Sequence, residues 1–257
     1  MRVCIVGAGV VGRAVARRLA QRGDHVVLAS PAPREGAGLW RRADALTGVG
    51  IRDALYAADA VVYAATAPRQ VVALAGAGAE QVARAARQGA VERFVWVQPV
   101  GINGALTHVV QSYQEALPVV RAQAPELRVV GLPLLFGDGD RLFTPWVEAA
   151  RAGKAVPQPP DLRLRPLWSD DAARLVLRAV DGELDRDVGV QGPRPVRLRA
   201  LADDLAGSFG AKVSRMKRSA LKPWAELLAS QGEAPDDWDG LDLGRRRDPE
   251  DHLKALI

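Results

Sequence analysis

Val3-Cys4-Ile5-Val6-Gly7-Ala8-Gly9-Val10-Val11-Gly12 is the stretch that decides the fold. Four apolar residues in a row read as a strand buried on both faces, and a helical pattern begins at Val10 with no intervening loop. The three glycines hold the G-x-G-x-x-G spacing of a dinucleotide-binding turn, and each answers a separate need. Gly7 lets the chain leave the strand sharply. Gly9 lets a pyrophosphate approach the backbone. Gly12 lets the new helix lie close to the strand. The helix N-terminus, with the N–H groups of Val10, Val11 and Gly12, then meets the phosphates with its positive dipole end.

Outward from that turn, strands alternate with helical stretches. A second strand is predicted over His25–Ser30, a third over Leu46–Ile51 and a fourth over Ala60–Ala64. Arg69–Gln88 reads as one long helix, with Gly76 and Gly78 explained by close packing on the sheet. A fifth strand covers Arg93–Val97. A helix over His108–Ala124 is expected to kink or break at Pro118, and a sixth strand covers Leu127–Leu132. Thr144–Ala152, Ser169–Val180, Leu198–Phe209 and Pro223–Ala229 read as helices, Leu162–Trp168 as extended chain and Val188–Val190 as a last short strand. The tail from Gly232 is polar enough to be loosely ordered. The alternation predicts an α/β fold, a Rossmann-type doubly wound parallel sheet with a small C-terminal substrate lobe. The dinucleotide domain is expected over residues 1–132 plus 169–190, and the substrate lobe over 133–168 plus 191–257.

Composition narrows the partners. A hydrophobic fraction of 48% with 25% charged residues suits a soluble globular chain. No apolar run is long enough for a membrane span, and no signal segment precedes the first strand, so a cytoplasmic location is expected. The single Cys4 excludes an intrachain disulfide. Net charge is +5 and the isoelectric point about 9.8, but the arginines are scattered, so no nucleic-acid partner is expected. A homodimer is compatible with everything above. No His, Cys and acid spacing suggests a metal, and no G-x-S-x-G elbow is present. At the end of the second strand, where NAD-specific folds place an acid on the ribose, stand Ser30 and then Arg34. With Arg13 in the turn, they favour NADP, NAD remaining an alternative. The small residues Ala64, Ala65 and Thr66 leave the fourth strand and can border the second ribose.

Four further stretches carry a family resemblance over roughly residues 1–190: Asp59–Ala65, Val91–Val97, Leu132–Asp140 and Leu167–Ala173. With the glycine turn they resemble the atypical or extended short-chain dehydrogenase/reductases, the NAD-dependent epimerase/dehydratase group. The resemblance implies a cofactor contact at Pro133 and a substrate of small carbonyl, hydroxyl or sugar-nucleotide type. It also implies a Tyr-x-x-x-Lys pair, in which the Tyr moves a proton at the substrate oxygen while the Lys lowers its pKa. Here Tyr113 stands at the expected place, but the residue four further on is Leu117. The Ser/Thr position after the fifth strand is Gln98, and the adenine-contacting Asp expected after the third strand falls on Gly50. Tyr113, Gln98 and His108 are therefore the catalytic candidates. Tyr113 also reads as a packing aromatic, Gln98 as a loop amide and His108 as a structural histidine. Two functions stand side by side: an oxidoreductase or epimerase-like enzyme with a non-standard site, and a non-catalytic NADP-binding sensor of the NmrA type.

Overall fold

The computed structural model describes residues 1–67, 69–100, 108–124, 126–140, 142–159, 161–215 and 236–254. The chain divides into two compact units. The first comprises Met1–Gln98, Leu106–Gly131 and Ala172–Val188; the second comprises Pro99–Ala105, Leu132–Asp171 and Gly189–Ile257.

The first unit is built on strand β1 (Arg2–Val6), whose last four residues are fully covered. Residues with two buried faces belong in the middle of a parallel sheet. β1 accordingly lies between β2 (His25–Ser30) and β4 (Ala60–Tyr63), pairing Val3 with both Val26 and Ala60. β3 (Leu39–Arg42), β5 (Arg93–Pro99), β6 (Leu127–Leu132) and β7 (Val188–Gly189) complete seven strands in the order β7-β6-β5-β4-β1-β2-β3. The pairs from β3 through β5 all run parallel. Helix α1 (Val10–Gln21) buries Val11, Ala14, Val15 and Leu19, one face of a 3.6-residue period. Cys4 lies wholly inside β1, where loss of solvent pushes its thiol up to about 12.

Several expectations need correction. The third strand is Leu39–Arg42, not Leu46–Ile51. The latter stretch is a turn held by the Asp44 carboxylate, which accepts from Leu46 N at 2.8 Å, and it leads into helix α2 (Ile51–Leu55) through Gly50 at φ +73°. Arg69–Gln88 is not one regular helix. A single turn of α3 (Val71–Ala73) widens into a π segment over Leu74–Gly78 before α4 (Ala79–Gln88). Gly78 does pack closely, because an added Cβ would come within 2.6 Å of the Tyr63 hydroxyl; around Gly76 there is open space. Helix α5 (His108–Gln123) continues through Pro118 without a break. That proline is exposed, and the buried face formed by Val110, Tyr113, Ala116 and Val120 outweighs one lost backbone bond.

The second unit has its own core. Helices α6 (Phe143–Arg151) and α7 (Leu198–Ser208) pack with Phe136, Phe143 and Trp146, the latter two edge to face at 5.4 Å. The buried Asp140 carboxylate starts α6. It accepts from the backbone N–H of Leu142, Phe143 and Thr144 and from the Thr144 hydroxyl. The Thr144–Ala152 expectation is thus shifted by one residue. The described part of the tail is fastened rather than loose. Trp238 is buried and donates to Gly244 O at 2.8 Å, and Asp236 accepts from Arg246 at 2.7 Å and Arg165 at 3.0 Å. Backbone N–H of Arg247 is held by Asp171 at 2.8 Å. The helix expected over Pro223–Ala229 lies outside the described residues.

Candidate functional site

The site begins at the glycine turn, pinned on both sides by backbone bonds. Gly7 N donates to Ala29 O and Ala64 N to Val6 O, each at 2.9 Å. Gly7 takes φ +116°, and an added Cβ would lie 2.6 Å from the backbone of Ala64 and Ala65. At Gly12 it would lie 2.0 Å from Gly7 O. At Gly9 it would meet nothing within 4 Å. Two glycines are therefore demanded by the protein's own packing, while the middle one opens on free space. Gly9 also caps α1 without any side-chain bond, and the first helical bond runs from Arg13 N to Gly9 O. The N–H groups of Val10, Val11 and Gly12 thus have no partner within the helix. Open room beside three aligned donors at a positive dipole end fits a pyrophosphate.

The side of the turn on which the sequence leads one to expect a ribose is formed by β2 and β3. The Ser30 hydroxyl is already committed: it donates to Ala32 O at 2.7 Å and accepts from Trp40 Nε1 at 3.0 Å. Its proton is not free for a ligand while that bond stands. Arg34 is exposed in the loop after β2, and the Cγ of Arg13 would lie 3.6 Å from a Cβ at Gly36 in the same loop. The sequence missed two residues here. Arg42, exposed, stands in register with Ser30 on the neighbouring strand. Asp44 follows the true third strand, at the place where the resemblance puts the adenine-contacting acid. Both were hidden by the same misplacement of β3; the Leu-Trp-Arg-Arg run lacks the apolar signature of a buried strand.

On the other side of β1, Ala64 and Ala65 border Gly7, and Thr66 is exposed. One strand further on, Gln98 is the last residue but one of β5. It is 2% exposed, and neither its Oε1 nor its Nε2 has a hydrogen-bond partner. Tyr113 is 4% exposed, with its ring 5.8 Å from that of Trp96, and burial raises its phenol above the usual tyrosine value. His108 is exposed on the first residue of α5. The structure thus gathers Gly7, Gly9, Val10, Val11, Gly12, Ala64 and Ala65 around one turn. Ser30 and Gln98 lie at strand ends to either side. Pro133 belongs to the second unit, buried directly after β6. Among the described residues no three His, Cys, Asp or Glu side chains gather as metal ligands.

Comparisons with known proteins agree with this geometry. Residues 2–88, the glycine turn through α4, match the family described as NADP oxidoreductase, coenzyme F420-dependent. A search of curated protein sequences finds no match. Among solved structures, MoeE5 in complex with UDP-glucose and NAD is similar with a TM-score of 0.79 at 16% identity, covering 100% of this chain and 97% of that one. The fold is that of the NAD-dependent epimerases and dehydratases. The Bordetella bronchiseptica enzyme WbmH in complex with NAD+ is similar with a TM-score of 0.69 at 17% identity, covering 98% of this chain and 91% of that one. UDP-N-acetylglucosamine 4-epimerase from Bacillus cereus gives 0.66 at 15%, covering 97% and 99%. Within this epimerase-type fold, the glycine turn is intact, while Leu117 and Gln98 replace the residues that the resemblance leads one to expect. No helix among the described residues is long and apolar enough to cross a membrane.

Proposed function

We propose that this chain binds NADP through the Gly7–Gly12 turn and acts as an oxidoreductase or epimerase-like enzyme on a small carbonyl, hydroxyl or sugar-nucleotide substrate. The observation that carries the reading is the open cradle at Gly9, set between two glycines that packing demands. The bound dinucleotide would supply hydride chemistry; the protein orients it and manages a proton. Tyr113 is the proton donor. With Leu117 in place of a lysine and with burial opposing the phenolate, its hydroxyl stays protonated, which suits an acid rather than a base. Gln98 supplies hydrogen bonds to the ligand in place of a hydroxyl side chain. The preference for NADP rests on exposed Arg34 and Arg42 and on the lack of an acid at the end of β2.

Calorimetric titration with NADPH and NADH tests the cofactor half: NADPH binds more tightly, and equal affinities remove the 2′-phosphate argument. Tyr113→Phe should abolish turnover of a carbonyl or sugar-nucleotide panel with NADPH affinity intact. The burial of Tyr113 against Trp96 favours a second reading, a sensor of the NmrA type that binds NADP without consuming it. NADPH bound but never oxidised across the panel supports that reading instead.

A further inference from the structure

Gln98 has no partner for either end of its carboxamide, although it is almost wholly buried. Buried polar groups are paired in more than about nine cases in ten, since an amide removed from water without a bond is destabilising. Trp96 Nε1, two residues back on the same face of β5, is buried and unpaired as well, so the two do not satisfy one another. The amide is held ready for something outside the protein.

Its place in the sheet says which part of a ligand that is. Tyr63 on β4 pairs with Trp96 on β5. Continuing that register sets Gln98 level with Ala65, whose backbone nitrogen would meet a Cβ at Gly7. Gln98 therefore stands one strand spacing, about 5 Å, beyond the border of the phosphate turn, on the side away from β2 and β3. Ser30, Arg42 and Asp44 mark the adenosine side across β1. The half of a dinucleotide that extends toward β5 is the one that ends in nicotinamide. Nicotinamide carries a primary carboxamide, and two primary amides pair reciprocally: one N–H of each donates to the other's C=O, so both the donor end and the acceptor end of Gln98 gain a partner. A lone hydroxyl or ketone oxygen is a poorer match for the amide's donor and acceptor together.

We propose that the Gln98 carboxamide forms a reciprocal amide pair with the carboxamide of the nicotinamide ring, making Gln98 a cofactor-specificity residue. This rests on the dinucleotide reading above. The test compares the full-length protein with Gln98→Met, which keeps the chain's length and shape but removes both polar atoms. Three probes are titrated: NADP+, its 3-acetylpyridine analogue, whose methyl ketone accepts but cannot donate, and 2′-phospho-ADP-ribose, which lacks the ring. The variant without ligand should melt roughly 2–4 °C higher, because an unpaired buried amide is gone. Its affinity for NADP+ should fall about tenfold. Its affinity for 2′-phospho-ADP-ribose should not change, and the wild-type preference for nicotinamide over acetylpyridine should vanish. A lower melting temperature overturns the proposal, since the amide is then part of the fold. Unchanged NADP+ affinity, or an equal loss for the ringless fragment, overturns it too while leaving the dinucleotide reading intact. If wild-type protein binds neither NADP+ nor the fragment, both readings fall.

Discussion

Gly9 and Gly12 look alike in the sequence and differ completely in what surrounds them. Gly12 faces Gly7 O at a distance no Cβ can occupy, whereas Gly9, at φ −80°, could carry a methyl group without touching the protein. Gly12→Ala should therefore lower Tm by roughly 6–12 °C, corresponding to about 3 kcal/mol of overpacking. Gly9→Ala should leave Tm within about 2 °C and weaken NADP+ binding more than about tenfold, as the methyl fills the pyrophosphate's approach. Thermal melts and titrations on the same two preparations check both. If Gly9→Ala binds normally, the cradle does not hold a pyrophosphate. The motif's spacing made all three glycines legible; which of them answers to the protein became visible only with the folded backbone in place, Ala64 and Ala65 against Gly7 and Gly7 O against Gly12.

At the scale of elements, the start of α6 hangs on one side chain. Asp140 is buried, and its carboxylate collects four backbone N–H groups, those of Gly137, Leu142, Phe143 and Thr144, and a hydroxyl. Asp140→Ala leaves those donors without an acceptor and should destabilise the protein by about 2 kcal/mol, a fall of roughly 4–8 °C in Tm. Asp140→Asn, which keeps one acceptor oxygen, should recover part of the loss. The sequence disclosed elements wherever both faces are buried: Val3–Val6, Ala60–Tyr63 and Phe94–Trp96 are apolar throughout because helices or neighbouring strands must cover them. It failed at β3, where an edge strand needs no apolar run and Arg41 and Arg42 remain exposed. Pro118 misled for a related reason, since a local penalty was weighed without the tertiary contacts of Tyr113 and Val120 that offset it. The tail misled because its anchors, Arg165, Gly189 and Asp171, are far away in sequence.

For the whole molecule, the buried acids with high pKa values set a limit on alkaline stability. Folding retains the Cys4 proton up to about pH 12, whereas an unburied thiol releases it near its ordinary value of 9.0. Tyr63 and Tyr113 are held protonated above their ordinary value of 10.0 by the same loss of solvent. Above pH 9 the unfolded chain thus binds fewer protons than the folded one, and stability falls as pH rises. Cys4 alone gives a slope of about 1.4 kcal/mol per pH unit between its two values, and the tyrosines steepen it above pH 10. Denaturant midpoints measured from pH 8 to 11 should be flat below 9 and then decline. Cys4→Ala should delay the onset of that decline to about pH 10, even though the lost sulfur lowers stability at neutral pH.

The two margins of the large sheet have a further consequence. β3 presents Arg41 and Arg42 at one margin, and β7 at the other is only two residues long. A strand from another molecule would find charge repelling its own basic residues on one flank and almost no ladder to extend on the other. Self-templated growth into fibrils is thereby discouraged at both flanks, without the closure that a barrel would need.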